Sequence, residues 1–270
     1  MTCWPGGGSS VDPTELRRLA GRTGIALGIL EKDQALTLVL GFLARESCAR
    51  DLAFKGGTAL SKTYFEGYRL SEDLDFTAMR DVSDDVLDAA PRLLDAGRRA
   101  GVRLARVERV PGGKSGRTLK IRYEDMNLHP NHVLVQLSLR ERVLLPAEPR
   151  PIYDPYRVVP RDARMPTMDL REIAAEKVRS LFMRSQARDL YDLWFLLREG
   201  VALDSDLVEA KLGWWKKGMA FRPDELGPRM DRIGATWRRD LEPLLGQVPP
   251  FEAVAGTMRS RLRKVRAGRA

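Results

Sequence analysis

Two short stretches decide how this chain is read: Phe54-Lys55-Gly56-Gly57-Thr58 and, a little further on, Arg69-Leu70-Ser71-Glu72-Asp73-Leu74-Asp75-Phe76. Leu52-Ala53-Phe54 is an apolar run ended by Gly56-Gly57, so it reads as a buried strand entering a glycine turn. Thr58 can cap a helix that follows through Tyr64. In the second stretch Leu74 and Phe76 alternate with Asp73 and Asp75, the period-two pattern of a strand. Both carboxylates then project from one face. Like charges so placed repel. A divalent cation removes that cost, and oxygen ligands beside phosphates suit Mg²⁺, with Mn²⁺ as a substitute. Gly56-Gly57 lets the backbone come close to a phosphate. Together these parts predict a metal–phosphate site. On spacing alone, a glycine turn beside an exposed acidic edge strand is the plainer alternative.

Outward from this core, Pro13 can open a short helix with Asp12 as its cap. Ile25 to Arg45 predicts a helix that is apolar on most faces and therefore buried. Asp84 to Gly101 predicts one helix closed by glycine. Val102 to Val110, Thr118 to Tyr123 and Val133 to Leu139 are strand-like, the first two joined by a Gly112-Gly113 turn as a hairpin. Pro146 to Pro166 carries several prolines and little periodicity, and reads as a linker with a boundary near residue 160. Beyond it Asp169 to Arg184, Ala187 to Glu199, Asp206 to Lys217, Pro223 to Leu245 and Phe251 to Arg266 read as helical, with breaks. The expected class is α+β: a small mixed sheet with helices over residues 12–160, then a helical half over residues 161–270.

Composition narrows the partners. The 270 residues allow one large domain or two small ones at about 150 residues each. Hydrophobic residues make up 43% and charged residues 31%, which excludes disordered and fibrous classes. Forty-six Lys and Arg against 37 Asp and Glu give a net charge of +9, which favours a polyanionic partner. Two cysteines, Cys3 and Cys48, exclude a disulfide framework and a cysteine-rich zinc site. His129 and His132 alone make a poor transition-metal site. The longest apolar run, Ala35 to Ala44, is about half of the roughly 20 residues a membrane span needs. The first ten residues lack the basic and apolar regions of a signal peptide and read as a flexible leader. A reducing cytoplasm is the expected compartment.

A second block, Ala175-Glu176-Lys177-Val178-Arg179-Ser180-Leu181, places Lys177 on an apolar helix stripe between Ile173 and Leu181. An ammonium buried there needs a partner. A triphosphate could supply one, or the lysine could snorkel to solvent. Arg188 and Asp192, at i and i+4 on the next helix, could form a simple surface pair.

The order of parts, Gly-Gly, a short helix, then Asp-x-Asp on the next strand, resembles the signature of the DNA polymerase β-like nucleotidyltransferases. More narrowly, "FKGGTALSK…RLSEDLDF" with "AEKVRSLFMRSQARDLYDLWFL" resembles the AbiEii-type abortive-infection toxins, which include the MenT toxins of mycobacteria. The resemblance spans roughly residues 25–200. It implies a polymerase β-like lobe followed by a helical lobe that completes a cleft. It also implies the toxin half of a type IV toxin–antitoxin pair, with an NTP as substrate, an antitoxin as partner, and transfer of a nucleotide to a tRNA 3′ end that blocks aminoacylation. By the same resemblance Asp73 and Asp75 hold Mg²⁺, and Lys177 and Asp192 belong to the active site, the former on phosphate charge and the latter on the attacking hydroxyl. Lys55, Gly56, Gly57, Thr58 and Ser71 form the nucleotide-binding set, with Lys62, Arg69 and Arg184 as weaker members. One departure concerns the third carboxylate expected on a neighbouring strand: in Val135-Gln136-Leu137-Ser138-Leu139-Arg140-Glu141 the matching position is Gln136, an amide that cannot act as a base.

Other features carry less. Gly112-Gly113-Lys114-Ser115 resembles the end of a P-loop, but Glu108 stands where the first glycine is required. Arg259, Arg261, Arg263, Lys264, Arg266 and Arg269 form an acid-free basic run, either a solvated helix end or a tRNA-phosphate contact. Trp214 and Trp215 could stack an unpaired base but suit a helix packing face better. Three rival functions follow: transfer of a nucleotide or phosphate onto a protein such as the antitoxin, a non-catalytic basic RNA-binding module, and a metal-dependent nuclease.

Overall fold

The computed structural model describes residues 13–112 and 115–267. Cys3, Asp12, Gly113, Lys114 and Arg269 lie outside the described residues, as do the side chains of Arg263, Lys264 and Arg266. Two compact units divide the chain, Met1–Met168 and Asp169–Ala270.

The first unit begins with α1 (Pro13–Thr23) and α2 (Leu27–Leu43). α2 is apolar on almost every side, and most of it is buried from Leu30 onward. Each fully buried leucine there contributes about 2 kcal/mol of transfer free energy. β1 (Leu52–Lys55) runs straight into α3 (Gly56–Ala59), which continues as one π-helical turn over Leu60–Tyr64. Next come β2 (Asp73–Ala78), α4 (Ser83–Asp88), α5 (Ala90–Arg99), β3 (Arg103–Val110), β4 (Gly116–Glu124), β5 (Pro130–Ser138), β6 (Glu148–Pro151) and β7 (Arg164–Thr167).

The seven strands form one mixed sheet in the order β3-β4-β5-β2-β1-β7-β6. β2 runs parallel to β5 and antiparallel to β1, while β1 runs parallel to β7. Strand register sorts the side chains onto two faces. One carries Leu74 and Phe76 of β2, Val133 and Val135 of β5, and Leu119 and Ile121 of β4, all fully buried. The opposite face carries Asp73 and Asp75, Leu134 and Gln136, and Thr118 and Lys120, all half-exposed. This alternation is what one buried and one open sheet face require.

Three expectations change. Residues 146–166 are not a free linker, because β6 pairs with β7 and β7 pairs with β1. Asp84 to Gly101 is two helices, since Pro91 lacks the N–H and the room to continue α4 and instead sits in the first turn of α5. Thr58 is not a helix cap: the helix begins earlier, at Gly56, and the Thr58 hydroxyl donates to the Asp73 carbonyl, tying α3 to β2.

The second unit comprises α6 (Leu170–Arg184), α7 (Ala187–Arg198), α8 (Ser205–Trp215), α9 (Gly227–Gly234), α10 (Trp237–Leu241) and α11 (Phe251–Ala267). Asp169 caps α6 by accepting from the Arg171 N–H. α6 packs on both α7 and α8. Among the described residues, no helix is long and apolar enough to cross a membrane.

Candidate active site

In the first unit, β1 hands the chain to Gly56 at φ +77°, a left-handed conformation that glycine adopts without strain. A Cβ on Gly56 would stand 2.8 Å from Oδ2 of Asp75, so the carboxylate lies against bare backbone. A Cβ on Gly57 would stand 2.3 Å from Nη2 of Arg69, so the guanidinium lies over the helix start. Arg69 is buried, donates through Nη1 to the Leu70 carbonyl at 3.0 Å, and rests 5.8 Å from the Tyr68 ring centre. Thus Gly56, Gly57, Arg69 and Asp75 meet at one point, and Thr58 pins Asp73 beside it. Ser71 lies half-buried two residues ahead of Asp73.

Across the sheet, Asp75 is in register with Lys55 on β1 and with Gln136 on β5. The position where a third carboxylate was expected therefore does adjoin Asp75, and it holds an amide. Lys55 is buried and its ammonium pairs with Glu141, just beyond β5. Glu141 was not singled out from sequence. The available signal was Lys55 itself, a lysine at a buried strand end that must find a carboxylate. Lys62 has no place in this group. Its ammonium is buried, lies 2.6 Å from Oδ2 of Asp33 in α2, and that oxygen also accepts from the Tyr156 hydroxyl at 2.7 Å. Lys62 is a core lysine with a built-in counter-ion, so the phosphate role expected of it is withdrawn.

Two carboxylates on an open strand face offer hard oxygen donors. Among the described residues, no group of three or more His, Cys, Asp and Glu side chains gathers as a ready-made cage. That donor set fits Mg²⁺, which takes one or two carboxylates and completes its shell with water and phosphate oxygens. His129 is exposed and its Nδ1 faces Oδ2 of Asp125 at 3.4 Å. Burial first, then Lys120, Lys32 and Arg122, lower the pKa of His132.

In the second unit, Lys177 is neither solvated nor left without a partner. Its ammonium lies 2.7 Å from Oδ2 of Asp192 and 3.1 Å from Oδ1 of Asp189, both on α7. Both aspartates are fully buried, so Asp192 forms no surface pair with Arg188. Arg184, half-exposed at the end of α6, reaches Oδ2 of Asp189 at 3.0 Å. Burial alone would push Asp189 up, but Lys177 and Arg184 together hold it below the usual carboxylate range. Asp189 was missed from sequence, hidden inside the "ARDLYDL" block. Lys211 on α8 forms a second such centre, 2.6 Å from Glu172 and 2.9 Å from Glu176 of α6. Trp214 packs 5.0 Å under that ammonium, as a core aromatic would, and Trp215 is partly exposed.

A family model described as "Nucleotidyl transferase AbiEii toxin, Type IV TA system" matches residues 38–257. No curated protein matches the chain in sequence. Among solved structures, MenT4, a nucleotidyltransferase toxin from Mycobacterium tuberculosis H37Rv, is similar at 23% identity and TM-score 0.66, over 92% of this chain and 88% of that one. JHP933 from Helicobacter pylori is similar at 19% identity and TM-score 0.58, over 89% of this chain and 93% of that one. At these identities the likeness speaks for the fold, a mixed α+β architecture of the MenT kind. With the family model covering most of its length, the chain belongs to the AbiEii family of nucleotidyltransferase toxins of type IV toxin–antitoxin systems.

Proposed function

We propose that this protein transfers a nucleoside monophosphate from an NTP to the 3′ end of tRNA in the cytoplasm, blocking aminoacylation until a cognate antitoxin restrains it. The observation that carries the reading is the Asp75 carboxylate resting on Gly56 with the Arg69 guanidinium on Gly57. Acid, bare backbone and fixed cation stand together where a metal-bound triphosphate needs all three.

In the reaction the 3′ oxygen bonds to the α-phosphorus, the α–β phosphoanhydride breaks, pyrophosphate leaves, and the hydroxyl proton passes to water. Asp73 and Asp75 would hold Mg²⁺, which neutralises phosphate charge when bound. Gly56 and Gly57 admit the phosphates, Arg69 and Lys55 balance their charge, and Ser71 offers a hydroxyl. Gln136 beside Asp75 can orient a water or a ligand but cannot take the proton. In the second unit, Lys177 is the lysine that the family resemblance assigns to phosphate charge. Asp192 and Asp189 hold that ammonium in place, a positioning role for Asp192 in keeping with its complete burial.

The test is incubation of purified protein with each α-labelled NTP, Mg²⁺ and total tRNA. Label on tRNA with at least one nucleotide is expected. Label on a protein side chain selects the antitoxin-type acceptor instead, and no label on either removes the enzymatic reading.

A further inference from the structure

The sheet face that carries Asp73 and Asp75 does not end with them. Register extends it through Leu134 and Gln136 of β5 to Thr118, Lys120 and Arg122 of β4, and to Arg106 and Glu108 of β3. Its charge changes sign along the way. The acids stand on β2, β5 is neutral there apart from His132, and the outer two strands are basic. Lys120 lies in the same row as Asp73, two strands away, about 10 Å at the usual strand spacing.

The basic end is short of counter-ions. Arg106 and Arg122 are directly opposite across the β3–β4 ladder, an arrangement of like charges that costs stability. Both reach for the same carboxylate, Glu108, with Arg122 Nε at 2.7 Å from Oε1. Lys120 is the register partner of that same acid. Arg106 and Arg122 remain 63% and 44% exposed, so the guanidinium groups face solvent. With Arg103 opposite Glu124 at the end of the same ladder, four cations stand against two acids on this open face. His132, in register with Arg122, has its pKa lowered by burial first, then by Lys120, Lys32 and Arg122, which marks positive potential gathered here.

We infer that the β3–β4–β5 part of this face, centred on Lys120, Arg122 and Arg106, is the track on which the acceptor polynucleotide lays its phosphate backbone, delivering a 3′ end to the strand that carries Asp73 and Asp75. This rests on the proposed transfer to RNA and adds the surface that holds the acceptor. His132 is the one aromatic ring among the residues named on this face, so the face reads mainly charge, and binding depends little on sequence and steeply on salt.

The test measures binding of fluorescently labelled total tRNA across a salt series. It compares wild type, Lys120→Ala/Arg122→Ala, and Arg98→Ala/Arg99→Ala on α5, a control that removes the same charge from exposed positions elsewhere. The β4 double variant should bind roughly tenfold more weakly at low salt, with a log–log salt slope shallower by about 1.5. The control should bind as wild type does. Arg106→Ala alone, at the most exposed position, supplies the answer should the double variant melt early. Unchanged affinity and slope in the β4 variants, or an equal loss in the control, overturns the inference. Label transfer separates the two claims. Full transfer by the double variant at the wild-type acceptor KM sinks the track while leaving the function. A wild type that binds tRNA through these residues but never labels it sinks the function while leaving the track.

Discussion

The acid face of the first unit and the lysine centres of the second handle charge in opposite ways. On β2, Asp73 and Asp75 place two like charges on a half-exposed face beside a glycine at φ +77°. On α6–α7, Lys177, Asp189 and Asp192 close on one another, with both aspartates fully buried. The open arrangement leaves both carboxylates partly accessible to a ligand. The closed one satisfies itself and fixes an ammonium in space. Lys211 with Glu172 and Glu176 sharpens the lesson, because it repeats the closed geometry with the lysine fully buried. Lys177 keeps 7% exposure and Lys211 none, so only the former has a way to meet a substrate.

Substitutions can break this contrast, beginning with the strongest. Asp75→Ala should lower nucleotide transfer on the order of a thousandfold while the protein stays folded at the assay temperature, because it removes a phosphate-site ligand. A large fall in melting temperature would instead make Asp75 structural. Lys211→Met should do the reverse. Leaving Glu172 and Glu176 buried without their cation costs about 3–5 kcal/mol in chemical unfolding, and surviving folded protein should still bind NTP. Lys177→Met should show both effects at moderate size: roughly a hundredfold loss of transfer, and a smaller loss of stability than Lys211→Met because Arg184 still serves Asp189. Equal behaviour of the two lysine variants would erase the distinction between the centres.

Gly56→Ala should cost about 1–2 kcal/mol of backbone strain at its left-handed φ. It should also raise the KM for NTP, since the added methyl meets the Asp75 carboxylate. The smallest effect concerns pH. The folded pKa of Asp189 lies below its unfolded value of about 3.9, so its stabilisation is complete above that value and fades as the pH falls through it. Unfolding of wild type and Asp189→Asn should therefore differ most near neutrality, and the difference should begin to shrink only below about pH 4, as the pH approaches the lower folded pKa.

Much of this was legible in the sequence because it is local. The alternation of Asp73-Leu74-Asp75-Phe76 needs only strand periodicity to put both acids on one face, and α2 and α6 announce themselves by apolar spacing. What escaped was set by distance along the chain. β6 and β7 are four-residue strands containing proline, β7 held by β1 more than 100 residues earlier in the sequence and β6 held by β7, and no local pattern distinguishes them from a linker. Lys62 and Lys177 were both expected as phosphate ligands through the family resemblance. Only the fold reveals that Asp33 neutralises one and the α7 aspartates hold the other. Glu141 escaped for the same reason, since its partner Lys55 lies 86 residues away.

The central claim is most directly tested by following α-labelled nucleotide and pyrophosphate together, in wild type and Asp75→Ala, with total tRNA and Mg²⁺. Equal amounts of RNA-bound label and released pyrophosphate from wild type, with neither from the variant, is the result expected. Label reaching tRNA as fast in Asp75→Ala as in wild type would contradict the assignment of this strand as the catalytic one.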